Sequence, residues 1–154
     1  NKCISLINYL PSQSEALLED EIIHVSGKIA KIRFEPLGII FGIFPWNFPF
    51  WQILRFAVPT LIAGNTVLVK PAPNVPQSSL LLDSLFQEAA FPQGTYNTVF
   101  SPIDYLENIV AKKEVKALTL TGSDIAGRSF AVLGAKYLKK SVLELGGSDP
   151  FIIL

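Results

Sequence analysis

Four polar side chains stand at the ends of apolar runs, which is where an α/β protein presents reactive groups. The first, Asn47, lies in a turn between Pro45 and Pro49, directly after the apolar run Ile39–Phe44. Proline fixes its own φ angle and restricts the residue before it, so this turn is stiff. In an open α/β sheet, ligands bind beyond the carboxyl ends of the strands. The stretch therefore predicts a rigid loop that presents Trp46 and Asn47 at a binding crevice.

Two of the other polar side chains, Glu144 and Lys70, are ionisable. Glu144 lies between leucines and is followed by Gly146 and Gly147. A carboxylate in an apolar setting is expected to have a raised pKa, which suits a general base; a structural salt bridge is the alternative. Lys70 leaves its apolar run into a Pro-Ala-Pro turn, where it could reach the ribose or phosphate of a cofactor. The alternative is a lysine whose stem lies along the sheet edge and whose ammonium reaches water.

The fourth polar side chain, Ser123, follows Gly122 at the end of the apolar run Ala117–Thr121 and opens a predicted helix. Its hydroxyl can cap that helix, and a glycine lets the backbone approach a ligand closely. Free N–H groups and the helix dipole make such a start an anion site, although a plain capped helix fits the same residues. A near match to the P-loop also begins at Gly122, but Arg128 replaces its phosphate-binding lysine. The G-x-G-x-x-G dinucleotide fingerprint is absent.

Composition limits the classes of function. The 154 residues are 49% hydrophobic with a formal net charge of zero, which predicts one domain-sized core and no nucleic-acid partner. The one cysteine, Cys3, fits a reducing cytoplasm. Cys3 and His24 each stand alone in the sequence, so no metal site is predicted, and no apolar run is long enough to cross a membrane. The chain starts without methionine and stops within an apolar run, which suggests a piece of a longer protein.

The elements that would hold these groups alternate regularly after residue 36. Residues 1–20 predict a helix that Pro11 kinks or splits, and residues 21–35 predict a small peripheral β arm. Beyond them, continuous apolar strands between amphipathic helices predict a doubly wound parallel sheet, a Rossmann-like α/β fold. Strands are predicted at Ile39–Phe44, Thr66–Val69, Asn97–Phe100, Ala117–Thr121 and Ser141–Leu143, and helices at Phe50–Ala63, Pro76–Ala90, Ile103–Lys112 and Ser123–Leu138.

Four motifs, in this order and spacing, resemble the aldehyde dehydrogenase superfamily. They are PWNFP at residues 45–49, AGNTVLVKPA at 63–72, LTGSDIAG at 120–127 and LELGGSDPFI at 143–152. Within the superfamily, KPAPNVPQ and LGGSDPF are most similar to the succinate-semialdehyde dehydrogenases. The resemblance implies that residues 36–154 are an incomplete NAD(P)-binding domain of the variant without the glycine fingerprint, with the catalytic domain missing. It also implies that residues 21–35 are an oligomerisation arm and that the full-length enzyme is a dimer or tetramer.

The resemblance implies a role for each candidate residue. Asn47 would stabilise the oxyanion of a thiohemiacetal, and Glu144 would be the general base that activates the nucleophile or the hydrolytic water. Hydride would pass to the nicotinamide and leave a thioester that water cleaves. Lys70 would hold the adenosine ribose or its 2′-phosphate, and Ser123 would meet the pyrophosphate. The implied cofactor contacts are Ile43, Phe44, Pro45, Trp46, Lys70, Ala72, Pro73, Gly122, Ser123, Ala126, Leu145 and Gly146.

Two departures from the family pattern refine this expectation. Many members carry a glutamate where this chain has Pro73, and that carboxylate chelates the ribose hydroxyls and repels a 2′-phosphate. NADP is therefore favoured over NAD. The family's nucleophilic cysteine lies beyond the Glu-Leu-Gly-Gly turn, where this chain ends, and Cys3 lies in the wrong motif. We expect the full-length enzyme to oxidise an aldehyde, with succinate semialdehyde as the first candidate, and this chain alone to be inactive. A noncatalytic nucleotide-binding or structural remnant, or a P-loop hydrolase, are the alternatives.

Overall fold

The computed structural model describes residues 2–153, in which helices and strands alternate from Ile39 onward. In chain order they are α1 (Lys2–Leu18), β1 (Glu21–Val25), β2 (Lys28–Ile32), β3 (Ile39–Ile43), α2 (Pro49–Ile62), β4 (Thr66–Lys70), α3 (Pro76–Glu88), β5 (Tyr96–Thr98), a 3₁₀ turn (Ile103–Tyr105), α4 (Leu106–Val110), β6 (Val115–Thr121), α5 (Asp124–Lys136) and β7 (Lys140–Glu144). Every strand predicted after residue 36 is present, with boundaries that differ from the predicted ones by one or two residues.

The five later strands form one parallel sheet in the order β5-β4-β3-β6-β7. The chain builds the sheet outward from β3 to β5, returns to the other side of β3, and then builds outward again to β7. The direction of winding therefore reverses between β3 and β6, which is the position where doubly wound sheets bind ligands. The predicted fold class is confirmed.

Helices cover both faces of the sheet and enclose two apolar clusters. On one face, α2 and α3 pack over β4 and β5, and the cluster includes Phe44, Ile53, Ala57, Val69, Leu82 and Tyr96. On the other face, α4 and α5 pack over β3 and β6, and the cluster includes Phe41, Leu106, Val110, Leu118, Leu120 and Phe130. Burial on both faces explains why the strands are continuous apolar runs instead of alternating ones.

Helix α2 ends in a turn at Gly64 and Asn65, and this turn leads the chain into β4. Gly64 has φ +80°, and its N–H donates to the Leu61 carbonyl while the Asn65 N–H donates to the Thr60 carbonyl. This pair of bonds is the Schellman motif, which glycine favours because it has no Cβ. The Asn65 side chain then accepts from the backbone N–H of Leu37 at 2.7 Å. The turn after α2 thereby anchors the residues that lead into β3.

Two helices differ from the sequence prediction. Pro11 does not split the first helix, because α1 runs without interruption through it. Helix α1 packs against α2, and Pro11 lines an apolar groove with residues of α2 and α3. We infer that this packing outweighs the cost of the backbone N–H that proline lacks. The predicted helix Ile103–Lys112 begins as a 3₁₀ turn after Pro102, so α4 starts only at Leu106.

The segment between α1 and the sheet is an isolated hairpin. Strands β1 and β2 pair antiparallel, with Glu21 opposite Ile32, through a two-residue turn at Ser26 and Gly27. Both turn residues have positive φ angles, +47° and +77°, which matches the right-handed twist of a hairpin. Every residue of both strands is exposed, including Ile29 at 72%. The predicted β arm is therefore present, and it leaves apolar side chains without cover among the described residues.

A charged contact joins the two helices on the second face. The Glu107 carboxylate of α4 accepts hydrogen bonds from Lys136 Nζ at 2.5 Å and from Tyr137 Oη at 2.6 Å. The hydrogen bond from Lys136, followed by that from Tyr137, lowers the pKa of the Glu107 carboxyl. A lowered carboxyl pKa stabilises the fold at pH values above the pKa of the unfolded chain, and this stabilisation is lost as the pH falls through the folded-state pKa.

We expect Glu107→Gln to lower the free energy of unfolding at pH 7 and to have progressively less effect as the pH falls towards 3. The ionised carboxylate is the form that Lys136 and Tyr137 stabilise, so protonation removes the advantage of glutamate. The contact is exposed, so the effect should be small and should shrink in high salt. Urea unfolding followed by circular dichroism would measure it. Glu88→Gln, at an exposed position on α3, is the control; an effect of Glu107→Gln that grows in acid would contradict the assignment.

Candidate functional site

Strand register brings the polar residues of separate motifs to one edge of the sheet. Ile43 at the end of β3 pairs with Lys70 of β4 on one side and with Leu120 of β6 on the other. Leu120 in turn pairs with Leu143 of β7, one residue before Glu144. Neighbouring strands lie about 4.8 Å apart, so Lys70 and Glu144 stand on strands separated by about 14 Å. The predicted site residues thus line one carboxyl edge.

The turn after β3 projects outward from this edge. Pro45 is half-buried, Trp46 is 64% exposed and Asn47 is exposed. Phe48 has φ +50° and ψ +53° before Pro49 opens α2, a left-handed conformation that is uncommon for a bulky residue. Backbone strain of this kind is concentrated at functional sites. The loop predicted to present Trp46 and Asn47 is present, and Phe48 adds a backbone strain that the sequence did not indicate.

Lys70 ends β4 inside the protein. The residue is 8% exposed, and burial lowers the pKa of its ammonium group. Its carbonyl accepts the N–H of Phe44 at 3.1 Å, which joins the strand end to the turn above Ile43. The stem of the side chain is therefore buried, which is compatible with both alternatives from the sequence, an ammonium that reaches a cofactor and an ammonium that reaches water. Because a partly desolvated cation is stabilised by an anionic partner, a phosphate is a suitable ligand for Lys70. Ala72, half-buried, and Pro73, exposed, follow it.

The start of α5 provides backbone donors at the same edge. Ser123 is the N-cap, and its hydroxyl accepts from the Ala126 N–H at 3.3 Å. The Gly122 N–H donates to the Glu144 carbonyl at 3.0 Å, which holds this turn against the end of β7. The remaining N–H groups of the first turn and the helix dipole can attract an anion. The helix cap predicted at Ser123 is confirmed.

A glycine of α5 lets the segment after β7 lie against this helix. A Cβ added to Gly127 would lie 2.4 Å from Leu145 Cδ2, much closer than two carbons can approach. A Cβ added to Gly146 would lie 3.6 Å from Asp124 Oδ1. Leu145 and Gly146 therefore lie beside the first turns of α5. The structure brings together these two predicted cofactor contacts with Gly122, Ser123 and Ala126.

Glu144 differs from its expected setting. Its side chain is 55% exposed and lies 3.5 Å from Arg55 Nη1. The expectation of a carboxylate in apolar surroundings was wrong, because β7 is an edge strand and its residues at alternate positions, such as Val142, face outward. The salt bridge kept as the alternative is present. An exposed carboxylate remains accessible to a substrate or to water.

A groove of about 540 Å³ connects Glu144 to α2. Gln52 and Arg55 line it from α2, and Thr121 and Glu144 line it from the strand ends. Gln52 Oε1 is buried and has no hydrogen-bond partner among residues 2–153. The sequence interpretation did not select Gln52 or Arg55. The available signal was a single arginine in the apolar stretch FWQILRFAV, at helical spacing from Gln52.

We expect Ser123→Ala to lower the free energy of unfolding by about 1 kcal/mol, because it removes the hydroxyl that caps α5. Ser123→Asp is the matched control, since aspartate also caps helices and its charge favours a helix N-terminus. Urea unfolding of the three proteins would measure the difference. Equal losses in both variants would show that the hydroxyl itself, and not capping, matters at this position.

Two further features are absent from residues 2–153. None of the helices there combines the length and the hydrophobicity that a membrane-spanning segment requires. No group of three or more histidine, cysteine, aspartate or glutamate side chains in that part of the chain is placed to hold a metal ion.

Comparison with known proteins agrees with the fold and with the family resemblance seen in the sequence motifs. Residues 1–154 match the model of the aldehyde dehydrogenase family. A probable NADP(+) succinate-semialdehyde dehydrogenase of Synechocystis is 46% identical over 154 residues, 100% of this chain and 34% of that protein. An NADP(+) succinate-semialdehyde dehydrogenase of Deinococcus radiodurans is 47% identical over 97% of this chain and 31% of its own length. The crystal structure of succinic semialdehyde dehydrogenase from Streptococcus pyogenes with NADP+ matches with a TM-score of 0.94 and 34% identity, over 99% of this chain and 33% of that one. The chain thus spans about one third of these relatives.

Proposed function

Because this chain belongs to the aldehyde dehydrogenase family, we propose that the protein containing it oxidises an aldehyde to a carboxylic acid with a nicotinamide cofactor. The observation that carries the proposal is the single carboxyl edge of the sheet, where the ends of β4, β6 and β7 place Lys70, the start of α5 and Glu144. Cys3 is half-buried in α1 and packs against the first apolar cluster. The nucleophile of the proposed reaction therefore lies outside these residues, and we expect this chain alone to be inactive.

The proposed cofactor site uses three features of this edge. Ser123 and the first N–H groups of α5 would hold the pyrophosphate, with Gly122 and Ala126 close to it. Lys70, followed by Ala72 and Pro73, would contact the adenosine ribose. The turn residues Ile43, Phe44, Pro45 and Trp46 would form one wall, and Leu145 and Gly146 would form part of the other. When bound, the nicotinamide supplies the hydride acceptor.

NADP is the proposed cofactor on grounds of charge. A 2′-phosphate adds negative charge next to the ribose, and Lys70 ends β4 as a buried cation. Pro73, three residues later, carries no charge that would repel this phosphate. The two sequence relatives described above are named as NADP(+) enzymes, which supports the same preference.

We expect the chain to bind NADP more tightly than NAD, and Lys70→Gln to weaken NADP binding by about tenfold or more while affecting NAD less. The reason is that a charge-assisted hydrogen bond contributes about 1.5–3 kcal/mol. Titration followed by the fluorescence of the exposed Trp46 would measure the four dissociation constants. Tighter binding of NAD, or an equal loss for both cofactors, would refute the preference. Binding of ATP with magnesium, without NADP binding, would favour the P-loop alternative.

The proposed chemistry divides two tasks between Asn47 and Glu144. The exposed Asn47 amide would donate a hydrogen bond to the oxyanion that develops when a nucleophile adds to the aldehyde carbonyl. The exposed Glu144 carboxylate would accept a proton, first from the nucleophile and later from the hydrolytic water. Both side chains stand at the carboxyl edge, and the Glu144 side chain is 55% exposed beside Arg55 in the groove.

Succinate semialdehyde is the proposed substrate. It has an aldehyde at one end and a carboxylate at the other, so its site needs a cation a short distance from the reacting carbon. Arg55 is such a cation, because its guanidinium lies 3.5 Å from the proposed base and faces the groove. The names of the relatives support this choice of substrate.

In the complete gene product, we expect Asn47→Ala to lower kcat about 100-fold to 1,000-fold with little change in the binding of NADP. The loss follows from removing a donor that acts on the developing oxyanion. Steady-state kinetics with succinate semialdehyde, together with a cofactor titration, would separate the two effects. Full activity in Asn47→Ala would refute the role of Asn47. A complete gene product that binds NADP but oxidises no aldehyde would favour the noncatalytic remnant.

We also propose that the protein forms a homo-oligomer through its hairpin. A two-stranded hairpin is marginally stable alone, and β1 and β2 expose Ile22, Val25 and Ile29. A second copy of the chain would cover these side chains and the unpaired strand edges. A single cysteine in 154 residues supports a cytoplasmic location.

A further inference from the structure

We propose that Glu144 and the carboxylate of an anionic substrate compete for the guanidinium of Arg55, so that substrate entry releases Glu144 from its ion pair. The inference rests on the proposed function, which makes Glu144 the general base. It adds a coupling between substrate binding and the availability of that base. Arg55 is thereby a positioning residue for Glu144 as well as a contact for the substrate.

The geometry places the two side chains where a ligand can reach both. Arg55 extends from α2 and Glu144 from the end of β7, and their closest charged atoms, Nη1 and Oε2, are 3.5 Å apart. The Arg55 side chain is 40% exposed and the Glu144 side chain is 55% exposed. Both line the open groove between α2 and the strand ends. An incoming carboxylate can therefore approach the guanidinium without any movement of the backbone.

The ion pair is weak enough to exchange. Contacts between exposed charges shift an equilibrium by only about 1.4-fold to 5-fold. A guanidinium presents donors in a fork that matches two carboxylate oxygens, whereas the closest approach of the Arg55 guanidinium to Glu144 is 3.5 Å. A substrate carboxylate that binds in the bidentate manner would therefore displace Glu144.

Replacement of Glu144 by a substrate carboxylate at Arg55 changes how many Glu144 oxygens are available to accept a proton. While the pair persists, one carboxylate oxygen faces the guanidinium. When a substrate carboxylate takes the guanidinium, both oxygens of Glu144 become free to accept a proton from the nucleophile or from water. The base would thus be freed when an anionic substrate is bound, and a neutral aldehyde of similar length would not release it.

One other cation lines the groove and serves as a control. Lys140 lies on the same strand as Glu144 and on the same side, four residues earlier. At about 3.3 Å per residue, it lies about 13 Å further along the strand. Among the described residues Lys140 forms no ion pair with Glu144. Its replacement therefore changes the charge of the groove and leaves the ion pair between Arg55 and Glu144 in place.

The test is a titration of the chain with succinate, which carries the same carboxylate and two-carbon spacer as succinate semialdehyde. Dissociation constants from NMR chemical-shift changes would be compared for the unaltered chain, Glu144→Gln, Glu144→Asp, Arg55→Gln and Lys140→Gln, each checked for folding by circular dichroism. We expect Glu144→Gln to bind succinate about twofold to sixfold more tightly, because the internal competitor is gone. Arg55→Gln should bind at least about tenfold more weakly, and Lys140→Gln should remain within twofold of the unaltered chain.

The Glu144→Asp variant distinguishes direct pairing with Arg55 from a general repulsion of succinate by a negative charge at position 144. It keeps the negative charge but shortens the side chain by one methylene, which weakens the contact with Arg55. Direct competition predicts that its affinity for succinate moves towards that of Glu144→Gln. Equal affinity in Glu144→Asp and the unaltered chain, with tighter binding only in Glu144→Gln, would attribute the effect to charge alone and overturn the proposal.

The remaining outcomes also decide the question. Unchanged or weaker succinate binding in Glu144→Gln, or no binding by any of the proteins, would refute the competition. The titration with NADP and NAD tests the proposed function separately, because cofactor binding depends on Lys70 and Ser123 and not on the contact between Arg55 and Glu144. A chain that prefers NADP but shows no effect of Glu144→Gln would keep the proposed function and lose only this coupling.

Discussion

The pairing of β3 with β4 on one side and β6 on the other is the constraint on which the rest of the structure depends. It aligns Ile43 with Lys70 and with Leu120, so the ends of three strands meet at one edge. It also separates the two apolar clusters, with Phe41 buried on one face and Phe44 on the other. A slip of one residue would exchange these faces. The register of one central strand therefore sets both the core and the site.

The two faces of the sheet are covered unequally, and this difference determines the character of Glu144. On the first face, α2 and α3 lie over β4 and β5, and the groove beside α2 leaves the outer strand β7 open. Glu144 consequently faces Arg55 and solvent instead of apolar side chains. The same opening that prevents its burial gives a ligand access to it. The exposure of Glu144 and its proposed accessibility to a ligand thus have the same cause, which is the open groove between α2 and β7.

Much of the fold and part of the site were determined by the sequence, because those features depend on neighbours in the chain. Continuous apolar runs and helical periodicity located the strands and helices after residue 36. Local chemistry placed the cap at Ser123, which involves a hydrogen bond only three residues long, and the helix end at Gly64. The order and spacing of four motifs also pointed to the family that the comparison with known proteins confirms.

The tertiary structure alone decided which side chains meet across elements, because strand order and face coverage depend on contacts between residues distant in the chain. Helix α1 packs on α2 and continues through Pro11. The position of β7 at the sheet edge exposes Glu144 and sets it against Arg55. Close approach of Leu145 to Gly127 brings the last motif beside α5. None of these contacts leaves a periodic or local pattern in the sequence, so only the folded chain shows them.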